Sequence, residues 1–153
     1  MDKILGIAYA YDVKDAYQEI LDLGFSWTRM GICFPWKDRM FGTLSEAYLK
    51  DREQMIRAHE AGIQIMPSTP GMGGYYYSET DGETRYRDAW PDFVGEKGTP
   101  EYYRNVADTC AFICRDLKGI AGDLWQCMNE IDIPTFSGSY SVEVTTGTAR
   151  ASA

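Results

Sequence analysis

An adjacent amide and carboxylate, Asn129-Glu130, close the short apolar run Leu124-Trp125-Gln126-Cys127-Met128, and Pro134 follows to stop any continuation. A run of this form is how a buried parallel strand looks when its C-terminal end carries chemistry. The carboxyl can hold or release a proton, and the amide beside it both donates and accepts hydrogen bonds. Taken alone, the pair has a second reading as two solvated loop residues. Asp132, two residues further on, shares the side of Glu130 if the chain stays extended, and it too has a solvated-loop reading.

Other chemistry-bearing residues are sparse. Cys33, Cys110, Cys114 and Cys127 show no C-x-x-C spacing, and most sit among apolar residues. Buried free thiols in a reducing compartment are the expected state. Cys110 and Cys114 share a helix face at i, i+4, but the single histidine, His59, lies in a different segment, where an ordinary helix-face role fits it. A metal site needs more ligands than that, so neither metal nor cofactor is expected.

Composition narrows the partners. With a net charge of -8 over 153 residues, the chain is a poor match for nucleic acid or an anionic membrane, both of which reward clustered Lys and Arg. A neutral or positively charged partner is expected. No run approaches the roughly 18 apolar residues of a membrane span. A strand begins almost at once with Ile4-Leu5-Gly6-Ile7-Ala8, so no signal peptide is expected and the cytoplasm is the expected location. A hydrophobic content of 44% suffices for the core of one ordinary domain.

The elements that must position Asn129-Glu130 read as follows. Ile4 to Tyr11 is the first strand, and Asp12 caps a helix with the stripe Ala16, Tyr17, Ile20, Leu21 that Gly24 ends. Phe25 to Phe34 is the second strand, with Arg29 embedded in it, closed by Pro35 and Trp36. A helix from about Ser45 to Ala61 carries a partial stripe of Tyr48, Met55, Ile56 and His59, and Gly62 ends it before the third strand, Ile63 to Pro67. Ser68 to Thr99 reads as a long loop with Gly71, Gly73, Gly74, the tyrosines Tyr75 to Tyr77, and Trp90-Pro91. Loops of that length inside a domain are usually functional or disordered. Thr99-Pro100-Glu101 starts a helix with the stripe Tyr103, Val106, Ala107, Cys110, Ile113, Cys114, Leu117, running to Gly119. The fourth strand is the run before Asn129, and Ser141 begins a last helix that Gly147 weakens.

Strand and helix alternate four times, which argues for parallel strands with helical crossovers. The expected fold is α/β, of (β/α)8 TIM-barrel type, present as an incomplete barrel of about four βα units. Functional loops in such a fold follow the strands. An open doubly wound sheet is the alternative, but Tyr9-Ala10-Tyr11-Asp12 stands where a glycine-rich phosphate turn would be.

The W-T-R of the second strand, the A-x-x-A-G-I-x-I form before the third, and the N-E that ends the fourth resemble the first half of the retaining β-glycosidases of clan A. That clan of (β/α)8 barrels includes cellulases, mannanases and β-galactosidases, and the resemblance covers Ile4 to about Ala149. It implies that Glu130 is the general acid/base, that Asn129 hydrogen-bonds a sugar hydroxyl beside the scissile bond, and that Arg29 holds a nucleophilic carboxylate ionised. Such chemistry needs one carboxyl protonated near neutral pH and its partner charged, and a guanidinium suits the second task. The implied substrate is a carbohydrate. Trp36, Tyr75 and Trp90, with Asp132, are candidate sugar-binding residues; the competing reading is that the aromatics pack the loop down.

A barrel of this kind takes about 250 residues, and its nucleophile comes from the seventh strand. This chain ends soon after the fourth, so residues 1–153 read as an N-terminal half that carries the acid/base and lacks the nucleophile, truncated within a helix at Arg150-Ala151-Ser152-Ala153. The alternative is a carbohydrate-binding or half-barrel assembly module that self-associates through its open sheet edges.

Overall fold

The computed structural model describes residues 6–8, 17–129 and 140–153, with the backbone alone at 75–77. Strand β1 (Gly6–Ala8) leads to helix α1 (Tyr17–Asp22), β2 (Trp27–Gly31), α2 (Glu46–Glu60) and β3 (Gln64–Ser68). Then come β4 (Gly73–Tyr77), β5 (Thr84–Asp88), a 3-10 turn at Asp92–Val94, α3 (Pro100–Asp116) and α4 (Val142–Ala151). β1, β2 and β3 form one parallel sheet in that order, with Ala8, Arg29 and Met66 in one row of its register. This is a mixed α/β fold with a parallel sheet and helical crossovers, and no barrel is closed among the described residues. The expected residues 4–5, the Asp12 cap and the stretch 130–139 lie outside the described residues.

The fourth strand is reduced to a lane. Gly122 N–H donates to Ile65 O at 2.8 Å and Gln126 N–H to Pro67 O at 2.9 Å, with a parallel bridge between Ser68 and Gln126. The pairing is too broken for a regular strand because Asp123 and Leu124, between the two bonded amides, turn out to solvent. The lane still lies beside β3 in the parallel sense.

The long loop contains more order than its composition suggested. β4 and β5 form an antiparallel hairpin with Tyr75 opposite Tyr86. Its tip turns at Asp81-Gly82, where Gly82 has φ +73°, and Asp81 Oδ1 accepts from Glu83 N–H at 3.1 Å. Arg85 pairs with both Asp81 and Glu83 across the tip. The charged residues between the tyrosines and Trp90 thus close a turn.

Two apolar clusters share α3. Ile113 of its second half and Leu117, which caps its end, pack with Met30, Ile65, Tyr48 and Met55 between the sheet and α2. Tyr102, Val106 and Cys110 of its first half pack with Phe34, Trp36, Trp90 and Val94 beyond the strand ends. The buried face of α3 runs through Tyr102, Val106, Thr109, Cys110 and Ile113, while Ala107 and Cys114 are exposed, so the helix is rotated from the expected stripe toward Tyr102. On α2, Ala58 is buried and His59 exposed. Of the four free thiols only Cys110 is buried, against the expectation of mostly buried cysteines. Tyr48 ties α2 to α3 by donating to Asp116 Oδ2 at 2.7 Å, an oxygen that Arg52 Nε also reaches at 2.7 Å. Burial, with that bond, pushes the Tyr48 hydroxyl up from its ordinary pKa.

Ser45, Thr99 and Ser141 each cap a helix by accepting a backbone N–H three residues on. Gly24, Gly62 and Gly119 follow helix ends with φ of +86°, +96° and +84°. Gly147 has a different cause: a Cβ there would lie 2.5 Å from Cζ and Oη of Tyr103, so it sets the close approach of α4 to α3. Helix propensity alone would reward Gly147→Ala by about 1 kcal/mol. We expect a net loss of about 1–3 kcal/mol in urea unfolding, from overpacking against the ring. In a Tyr103→Ala background the same substitution should become neutral or stabilising.

Candidate active site

The helices cover one face of the sheet, on which Thr28, Met30, Ile65 and Pro67 are buried. Side chains alternate along a strand, so Arg29, Met66 and Ser68 belong to the other face, and the bridge to Ser68 puts Gln126 there too. This is the face that would look into a barrel. A cavity of about 350 Å³ lies against it, lined by β1 with Trp27, Arg29, Met66 and Leu124.

Arg29 Nη1 donates to Asn129 Oδ1 at 2.8 Å and to Gln126 Oε1 at 3.3 Å, and Gln126 Nε2 donates to Asn129 Oδ1 at 2.9 Å. All three residues are half-buried. The chain reaches this geometry through a kink. Met128 has φ +60°, uncommon for a residue with a long side chain, and its 1% exposure and a bond from its N–H to Thr69 Oγ1 at 2.9 Å hold it there. Non-glycine residues in such conformations cluster at functional sites.

The structure therefore brings two of the candidate residues together, Arg29 and Asn129, and adds Gln126, which the sequence reading passed over as part of an apolar run. Its register opposite Ser68 is the signal that would have found it. Glu130 and Asp132 lie outside the described residues. Tyr75 is placed by its backbone on the hairpin, opposite Tyr86.

Trp36 and Trp90 stand differently from the exposed stacking surfaces expected of them. Trp90 is 0% exposed, with Phe34 edge-on at 5.4 Å and Tyr102 at 6.5 Å, so its ring is part of the second apolar cluster and offers no face to a ligand. Trp36 is 5% exposed and lies against Phe112 at 4.3 Å and Phe41 at 5.2 Å. It still borders a cavity of about 550 Å³ between the residues that follow β2 and β3 and the end of β5. Helix α3 covers both rings, through Tyr102 over Trp90 and Phe112 over Trp36.

Cys33 lines that same cavity. Partial enclosure of its sulfur, a hydrogen bond to Asp51 and the charge of Asp51 push the thiol up to about 12. Tyr140, the first described residue after 129, donates to Asp88 Oδ1 at 2.7 Å, and Lys97 Nζ reaches Asp88 Oδ2 at 3.2 Å. The start of the last helical segment is thereby tied to the hairpin. Among the described residues no group of three His, Cys, Asp or Glu side chains is placed to hold a metal ion.

No family model matches the sequence, and no curated protein does. Among solved structures, an exo-β-1,4-mannosidase from Opitutaceae bacterium strain TAV5 is similar, with a TM-score of 0.56 over 96% of this chain at 19% sequence identity. The chain spans 30% of that protein's length. At this identity the likeness concerns the fold alone: the chain shares the architecture of part of that protein. No helix among the described residues is long and apolar enough to cross a membrane.

Thr69→Val keeps the shape of the side chain and removes the acceptor for the Met128 amide. We expect a loss of about 1–3 kcal/mol in urea unfolding, the cost of a buried donor left without a partner. Hydrogen exchange at the Met128 amide should quicken beyond what the global loss explains.

Proposed function

We propose that the chain carries the acid/base half of a retaining β-glycosidase site. Glu130 is the general acid/base, Asn129 the donor to a sugar hydroxyl, and Arg29 the cation that keeps a partner carboxylate ionised; that nucleophile is not among these 153 residues. The supporting observation is the 2.8 Å bond from Arg29 to Asn129, which joins the middle of β2 to the segment beside β3, 100 residues apart in sequence, on the open face of the sheet. The fold likeness to an exo-β-1,4-mannosidase agrees with this choice and makes β-1,4-mannobiose the natural probe.

In a double displacement the nucleophile attacks the anomeric carbon while the acid/base gives its proton to the departing oxygen, then takes a proton from the water that releases the sugar. With only one of the two carboxylates, residues 1–153 should bind a β-linked disaccharide weakly and turn over none. In NMR titration of the isolated chain, mannobiose should shift the Asn129 side-chain NH2 pair, and Asn129→Ala should abolish binding. Hydrolysis of an aryl β-mannoside that disappears in Glu130→Gln would show that the nucleophile is present after all. Failure of any β-linked disaccharide to bind at millimolar concentration would remove the carbohydrate reading.

A second reading, a half barrel that assembles through its open sheet, draws on Ile7 and Leu124, 37% and 58% exposed, which line the cavity beside β1. Clustered exposed apolar side chains of this kind mark contact surfaces. Sedimentation velocity separates the two readings, since a monomer at all concentrations leaves assembly without support.

A further inference from the structure

Three side chains close a ring on the open face of the sheet. A guanidinium only donates, so the atoms turned toward Arg29 Nη1, at 2.8 Å on Asn129 and 3.3 Å on Gln126, are the oxygens of both amides. With Gln126 Oε1 so placed, Nε2 is the other end of its amide, and it donates to Asn129 Oδ1 at 2.9 Å. Asn129 Oδ1 thus receives two donors, and its NH2 lies on the opposite edge. Among the described residues no acceptor is hydrogen-bonded to that NH2.

Gln126 is launched from a fixed backbone. Its N–H donates to Pro67 O and its carbonyl accepts from Thr69 N–H, both at 2.9 Å, so β3 holds it on either side. Among the described residues the charged group facing it is Arg29 of β2; β3 presents Met66 and Ser68 on this face, and Asp123 of its own segment is exposed. One bond from Arg29 would let the Asn129 amide swing about the contact. A second donor on the same oxygen fixes its plane.

We infer that Gln126 is a positioning residue, which with Arg29 locks the Asn129 carboxamide so that the edge left for a ligand is a donor. The lock selects a ligand atom that accepts a hydrogen bond, a neutral hydroxyl or ether oxygen, and disfavours one that can only donate. Naming that ligand a sugar rests on the glycosidase reading; the lock itself does not.

The test is Gln126→Glu, nearly equal in shape. At neutral pH the new carboxylate still accepts from Arg29, but its other oxygen has no proton to give Asn129 Oδ1. The carboxylate then faces Asn129 Oδ1 acceptor against acceptor, and the Asn129 amide, held by Arg29 alone, is pushed out of its locked plane. Protonation at acid pH restores the donor, and because Arg29 holds the new carboxyl below the usual carboxylate range, the recovery comes only in acid. The Asn129 side-chain 15N–1H2 pair should be displaced in the variant at neutral pH and return toward its wild-type position on acidification, while the wild-type pair stays put. Affinity for β-1,4-mannobiose should fall about tenfold or more at neutral pH, the loss of one hydrogen bond to a ligand.

An Asn129 pair unchanged by Gln126→Glu at neutral pH overturns the inference. So does a displacement that acid does not reverse in an otherwise native spectrum, which marks a packing role. If wild type binds no disaccharide while the pH-reversible displacement is seen, the lock stands and the carbohydrate reading fails. Should Gln126→Glu not fold, Gln126→Met keeps the volume: the Asn129 pair should be displaced at every pH, and an unmoved pair sinks the idea equally.

Discussion

The backbone of Gln126, bonded to Pro67 on one side and Thr69 on the other, is the contact on which the candidate site depends. It is one residue wide, yet it sets the register of the segment after α3 against β3. Through that register Gln126 falls on the face of Arg29, and the kink at Met128 can return Asn129 to the same guanidinium. A shift of one residue would carry Gln126 to the helix side of the sheet and replace it with an apolar neighbour, Trp125 or Cys127.

Helix α3 gives that contact its support. Ile113 and Leu117 belong to the core under the sheet, and Tyr102 and Val106 belong to the cluster beyond the strand ends. The same helix therefore fixes the sheet and the platform on which the hairpin rests. The Tyr48–Asp116–Arg52 contact adds a polar tie where α2 meets α3, near the end of the first cluster.

Much of the frame was legible in the sequence. The helix ends could be read because Ser45, Thr99, Ser141, Gly24, Gly62 and Gly119 each satisfy a local backbone need that neighbours in the chain define. The three parallel strands could be read because short apolar runs alternate with amphipathic helices. The hairpin was missed because glycines and consecutive tyrosines mask a period of two, although Asp81-Gly82 is a turn signal. Arg29 and Asn129 stood out by residue type, whereas Gln126 acquires its role only from a partner strand that no local pattern specifies. Trp36 and Trp90 resemble ligand-stacking aromatics in composition, and their burial follows from α3 packing that is decided elsewhere in the chain.

The bond from Tyr140 to Asp88 has a bearing on how such a domain can change over time. Asn129 is anchored to the sheet, while Tyr140 is anchored to a hairpin that the parallel strands do not require. The hairpin has thus become the mooring for the residue that leads into α4. Exchanging this hairpin for one of different length or composition would be a graft with two recipients, and the incoming segment would need its own carboxylate at the place of Asp88 to keep the neighbouring connection in place.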